Sequence, residues 1–138
     1  MTAKQVMFTK QESLPAIGQG TWYMGEDRSR RRDEVSALRA GLDLGLRLID
    51  TAEMYADGAA EEVVGEAIAG RRDNAFLVSK VYPWNAGGQK AITACEASLR
   101  RLKTDYLDLY LLHWSGNFSF AETIDAMEAL IAQGKIRR

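Results

Sequence analysis

An α/β fold is predicted, with a parallel sheet covered by helices, and three observations predict it. Short apolar runs alternate with longer segments whose apolar residues recur at helical spacing, the pattern of strand–helix units feeding a parallel sheet. Glycine follows three of the helical segments, at Gly45, Gly70 and Gly134, where a chain readily turns left-handed. Polar residues close the apolar runs, at Asp50, Lys80 and His113. A parallel barrel of the (β/α) TIM type needs eight such units and roughly 250 residues. This chain has 138 residues and room for four units. The predicted architecture is therefore half of such a barrel, in one domain over residues 1–138.

Taken in order, Val6–Thr9 and Leu14–Ile17 flank Lys10, Gln11 and Glu12 and read as a small hairpin. Gly18–Trp22 is a short strand with two glycines, and a polar loop follows it. The first helix spans about Arg31–Leu44, with Val35, Leu38 and Leu42 on its buried face. Arg47–Asp50 is the next strand. The second helix runs over about Ala60–Ala69, with Val63, Val64, Ala67 and Ile68 inward. Ala75–Val81 is a strand, and the helix over about Gln89–Arg101 carries the stripe Ile92, Cys95, Leu99 and Leu102. Tyr106–His113 is the fourth strand. Ser119 and Glu122 have the spacing of a capping box and open the last helix, whose apolar stripe is Ile124, Met127 and Leu130. On this reading the chain stops before a fifth strand could begin.

The bulk numbers exclude several classes. A net charge of −1 offers no field to draw in nucleic acid or an acidic membrane surface. The basic run Arg30–Arg32 is flanked by acids and reads as a solvated helix start. A lone cysteine, Cys95, allows no internal disulfide and falls in an apolar helical stripe. No signal-peptide core and no apolar run of spanning length occur, so a reducing cytoplasm is expected. No metal site is expected either.

Chemistry gathers at the strand ends. In a barrel, reactive groups come from the C-terminal ends of different strands and the loops after them. Asp50, Lys80 and His113 occupy three such ends, and Tyr55 lies in the loop after Asp50. Singly, each has a bland reading: an aspartate as turn former, a lysine reaching solvent, a histidine bonded within the fold, a tyrosine as packing. Together they would share one mouth. Gly18-Gln-Gly20 lacks the third glycine and the following helix of a dinucleotide fingerprint.

Several runs carry a family resemblance. Gly45-Leu-Arg-Leu-Ile-Asp50-Thr-Ala-Glu-Met-Tyr55, Glu62-Val-Val-Gly65-Glu-Ala-Ile68, Leu77-Val-Ser-Lys80, Ser98-Leu-Arg-Arg-Leu102 and Asp105-Tyr-Leu-Asp-Leu-Tyr-Leu-Leu-His113-Trp114 together resemble the aldo-keto reductases, over nearly the whole chain. The likeness is to a bacterial branch associated with methylglyoxal and other small aldehydes. Leu46 stands where that pattern usually has an aromatic residue, and Ala56–Glu61 is slightly longer than in many members.

The resemblance implies an NADPH-dependent reductase of aldehydes and ketones, with a small carbonyl compound as substrate. It implies Tyr55 as general acid, Lys80 beside it, Asp50 holding Lys80, and His113 donating a hydrogen bond to the carbonyl oxygen. It implies Gly20, Thr21, Trp22 and Asp50 near the nicotinamide. Trp22, Trp84, His113 and Trp114 would line the substrate pocket, although Trp84 reads equally as a plug of the barrel mouth. Other parts of the cofactor seat, among them a Ser-Asn pair and a glutamine, belong to the family's later units. This chain alone is therefore expected to be weak or inactive. The alternatives are a truncated non-catalytic half-barrel and a redox-sensing binding subunit. Unpaired sheet edges at either end of a half-barrel predict a homo-oligomer, with a dimer favoured.

Overall fold

The computed structural model describes residues 3–138. A hairpin of β1 (Gln5–Met7) and β2 (Ser13–Pro15) opens the chain, paired antiparallel with Val6 opposite Leu14. Four parallel strands follow in the order β3 (Gln19–Gly20), β4 (Leu48–Asp50), β5 (Phe76–Val81) and β6 (Leu109–Leu112). Helices α1 (Arg31–Asp43), α2 (Ala59–Ala67) and α3 (Gly88–Leu102) connect them, and α4 (Phe120–Ala132) follows β6. Each strand pairs with the next in sequence, as in one half of a (β/α) barrel.

The sheet has two different faces. Along β5, Leu77, Ser79 and Val81 point to the helices, while Phe76, Val78 and Lys80 point to the barrel interior, the period-two alternation of a strand. The helix side holds the main core: Leu38 of α1, Val63 and Val64 of α2, Cys95 and Leu102 of α3 and Leu130 of α4 close over Ile49 and Leu77. Burial there pushes the Cys95 thiol up to about 12. On the interior side, Phe76 and Val78 pack with Leu14 of the hairpin, which caps the bottom of the half-barrel. Helices α2 and α3 meet closely because position 65 is glycine: a Cβ there would lie 2.6 Å from the Arg101 carbonyl oxygen. None of the helices among the described residues is long and apolar enough to cross a membrane.

Helix boundaries follow the expected signals. Gly45, Gly70 and Gly134 all have positive φ, and Ser119 forms the capping box with Glu122 at the start of α4. Three expectations need correction. First, the regular strands are shorter than expected: β3 keeps only Gln19–Gly20 of Gly18–Trp22, and β6 begins at Leu109 rather than Tyr106. Second, α4 buries Thr123, Ala126 and Leu130, whereas Ile124 is 55% exposed. The helix is rotated so that Phe120, Ile124 and Ile131 form an outward apolar flank. Third, the last residues return to the sheet: beyond Gly134 the chain turns and makes an isolated parallel bridge, Ile136 to Leu107. The Leu107 amide donates to the Lys135 carbonyl, and the Tyr110 amide donates to that of Arg138 (2.9 and 2.8 Å). Four residues with one isoleucine are too few for their periodicity to be read.

Candidate active site

Lys80 is the centre of the site. Its place on the interior face of β5 follows from the alternation, which puts it two residues beyond Val78 and at the strand's C-terminal end. Its ammonium lies 2.8 and 2.9 Å from the two carboxylate oxygens of Asp50, at the end of β4. It also donates to the Thr51 carbonyl (2.9 Å) and to the Tyr55 phenol oxygen (3.1 Å). The lysine side chain is 13% exposed, so these partners are what offset the cost of burying the charge. Because Lys80 donates to the phenol oxygen, the Tyr55 hydroxyl hydrogen is left to point elsewhere, towards the open mouth.

Tyr55 reaches this position through an unusual turn. Ala56, Asp57 and Gly58 all have left-handed backbones, with φ of 49°, 53° and 93°. Only glycine adopts this conformation freely, so Ala56 and Asp57 are strained. The sharp reversal sends the tyrosine back over the sheet while α2 departs at Ala59.

His113 follows β6, and its amide donates to the Val81 carbonyl (3.1 Å). Its ring meets that of Tyr55 edge-on, 5.9 Å between centroids. Desolvation, with the nearby Lys80 charge adding and Asp50 opposing, lowers its pKa below 6.5. The imidazole is therefore neutral at neutral pH. Its Nδ1 is buried with no hydrogen-bond partner.

Aromatic residues border the mouth on two sides. Trp22, 61% exposed, stacks on Tyr23 and lies 6.4 Å from the Tyr55 ring. Opposite, Trp84 stacks on Tyr82 at 4.2 Å and meets Trp114 edge-on at 5.8 Å, and Trp114 abuts His113 at 4.8 Å. A cleft of about 360 Å³ lined by Pro83, Trp84, Lys90, Trp114 and Phe118 adjoins this wall. A larger cleft, about 500 Å³, lies between α3 and α4 around Ile92, Phe118 and Ala126. None of the four polar groups lines it. At the end of β3 a Cβ on Gly20 would meet nothing within 4 Å, so space is open there. Thr21 is fully buried, and its hydroxyl and its amide both donate to the Asp50 carbonyl (3.0 and 3.1 Å).

Asp50, Tyr55, Lys80 and His113 thus come together, with Trp22 on one side and Trp84 and Trp114 on the other. Sequence reasoning did not single out Tyr82 or Glu53. The Glu53 carboxylate is buried and accepts from the Tyr82 amide and the Asn85 side chain. A carboxylate between Ala52 and Met54 in the loop after β4 was its one available signal. Behind the strand, buried Glu61 joins Ser79 and Arg101, each at 2.6 Å. Among the described residues no group of His, Cys, Asp and Glu could hold a metal ion. The arrangement offers a phenol proton donor backed by a fixed cation, a neutral imidazole donor and an apolar wall.

The sequence profile of the aldo/keto reductase family matches residues 16–138. The chain is 75% identical over 138 residues to methylglyoxal reductase YeaE of Escherichia coli, covering 100% of this chain and 49% of that protein. It is 40% identical over 135 residues to aldo-keto reductase YhdN of Bacillus subtilis, covering 88% and 41%. An aldo-keto reductase from Klebsiella pneumoniae solved in complex with NADPH superposes with a TM-score of 0.95 at 64% identity, over 100% of this chain and 49% of the other. The chain therefore spans about half the length of the curated relatives it matches.

Proposed function

The chain belongs to the aldo/keto reductase family, and on that footing we propose that it carries the acid–base groups for NADPH-dependent reduction of small aldehydes and ketones, methylglyoxal among them, to alcohols. One observation carries the reading: the Lys80 ammonium touches both Asp50 and the Tyr55 phenol oxygen beside a neutral His113.

The substrate carbonyl oxygen lies between the Tyr55 hydroxyl and His113 Nε2, each donating to it. As negative charge builds on that oxygen, both donors stabilise it and Tyr55 releases its proton to it. Lys80 stabilises the phenolate left behind, and Asp50 with the Thr51 carbonyl keeps Lys80 in register. Trp22, Trp84 and Trp114 exclude water and favour a small apolar body. The open space at Gly20 and the exposed Trp22 indole fit a flat nicotinamide ring, bordered by Gly20, the Thr21 backbone, Trp22 and Asp50. When bound, NADPH supplies the hydride.

The reading extends to the state of the chain. The family's later units hold much of the cofactor seat, so these 138 residues alone are weakly active or inactive. A homodimer covers the exposed edges. One buried, unpaired cysteine suits a cytoplasmic setting.

The test is NADPH titration of the purified chain, followed by tryptophan quenching, with turnover measured on methylglyoxal. Expected are weak binding and low turnover, with any turnover falling by about 10²–10⁴-fold in Tyr55→Phe, the range of a lost general acid. Turnover unchanged in Tyr55→Phe sinks the assignment of the acid. Efficient turnover that Tyr55→Phe abolishes overturns only the weakness of the isolated chain.

A further inference from the structure

Glu53 lies between Asp50 and Tyr55 in the loop after β4, and it is 8% exposed. Its backbone amide approaches the Lys80 carbonyl (3.4 Å). Its Oε1 accepts from the Tyr82 amide (2.6 Å) and from the Asn85 side-chain amide (3.2 Å). No lysine, arginine or histidine among the described residues forms an ion pair with it. A buried carboxylate without a cation is costly, and here two N–H groups alone answer the charge. Both come from one short segment: Tyr82 and Asn85 bracket the 3-10 turn Pro83–Asn85.

That turn carries the aromatic wall. Trp84 stacks on Tyr82, both meet Trp114 edge-on, and Trp114 abuts His113. One carboxylate, two residues from the phenol-bearing Tyr55, thereby ties the loop of the proton donor to the loop of the pocket wall. Hydrogen bonds to an ionised acceptor are roughly twice as strong as neutral ones, so the tie is stiff.

Resting on the reductase reading above, we propose that Glu53 is a positioning residue that sets the distance between the Trp84–Trp114 wall and the Tyr55–His113 pair. It so limits the pocket to small carbonyl compounds. The ligand class is a short aldehyde or ketone whose carbon skeleton fits beneath the two indoles.

The experiment compares the full chain with Glu53→Gln and Glu53→Ala. Amide exchange at Tyr82 and near-ultraviolet circular dichroism of the aromatic cluster report the wall. Far-ultraviolet dichroism and Tm control for folding. In Glu53→Ala the Tyr82 amide is expected to exchange at least ~10-fold faster, as for a backbone group released to local opening, and the near-ultraviolet bands to weaken at unchanged helix content. Glu53→Gln keeps the shape and one acceptor, so it gives a smaller change of the same sign, and it decides the matter should the alanine variant not fold. Unchanged exchange and near-ultraviolet bands in a folded variant overturn the proposal. Where the wild-type chain turns over substrate, both variants are expected to raise KM for methylglyoxal, hold kcat within about twofold, and gain on a bulkier aromatic aldehyde. A loosened wall with unaltered selectivity overturns it too. A wild-type chain without turnover counts against the activity of the isolated chain, not against Glu53. Exposure of the indoles to acrylamide then decides: greater quenching in the variants supports the proposal, and equal quenching overturns it.

Discussion

Lys80 gains its role from four oxygens of three residues. Asp50, Thr51 and Tyr55 surround the ammonium at hydrogen-bond distance, and a substitution there strands a carboxylate as well as freeing the phenol. His113 is the neighbour that feels this charge most directly. Burial and Lys80 hold its pKa below 6.5, against the pull of Asp50. The unfolded chain takes up this proton at the ordinary value, the folded chain only at lower pH. Between the two the unfolded state binds more protons, so acidification from pH 7.5 towards 5.5 lowers stability. His113→Gln is expected to flatten that part of the profile, read as the urea midpoint at three pH values. An equal slope in both proteins would show that the imidazole is no less protonated in the fold than outside it. The aspartate, lysine, histidine and tyrosine were legible because each sits at or just past the end of an apolar strand. Glu53 was not, because its partners are an amide and an Asn some thirty residues away in the chain (29 and 32 positions), and no local pattern encodes them.

Among the elements, α4 shows both how much a sequence reveals and where it misleads. Its start was plain: Ser119 accepts from the Glu122 amide, and the Glu122 carboxylate accepts back from Ser119. Those bonds also lower the Glu122 pKa. Ser119→Ala removes the cap and is expected to cost about 1 kcal/mol, or roughly 4 °C in Tm for a domain of this size. Thermal melts of the two proteins check this, and an unchanged Tm would mean that α4 is held by packing alone. The buried face was read a few tens of degrees off, through Ile124 instead of Thr123 and Ala126. Hydropathy ranks isoleucine above threonine, yet the face of α4 that meets the core is the one with Thr123, Ala126 and Leu130. Helices α1 to α3 were read within one or two residues because glycines punctuate them or the strands between. The strands came out shorter because residues such as Thr21 and Tyr106 sit beside the sheet without keeping its full ladder. Thr21, for one, still donates its amide to the Asp50 carbonyl.

At the scale of the molecule, a half-barrel leaves two flanks, and here they differ. On one, α4 exposes Phe120, Ile124 and Ile131, and Ile136 beyond it makes an isolated parallel bridge to Leu107. On the other, α1 exposes Ala37 and Ala40 with Leu44, beside the short edge of β3. Large side chains on one flank and small ones on the other are complementary, and an exposed sheet edge tends to find a partner. A two-fold axis along the barrel direction would set the α4 flank of one copy against the α1 flank of its mate, twice, with all strands still parallel. The hairpin already closes the bottom of each half, pinned by Glu12 to Arg138 and by the Ser13 carbonyl to Arg47. Only the flanks then need covering. Light scattering of the purified chain at micromolar concentration is expected to give twice the 15.3 kDa of one copy. A Phe120→Asp, Ile124→Asp double variant should return it to one copy with its helix content intact, since neither side chain is part of the buried core. A wild-type chain that is monodisperse at the mass of a single copy defeats the dimer. In that case the apolar flank of α4 and the edge of β3 stand open to water, and the chain should bind hydrophobic dyes and aggregate as its concentration rises.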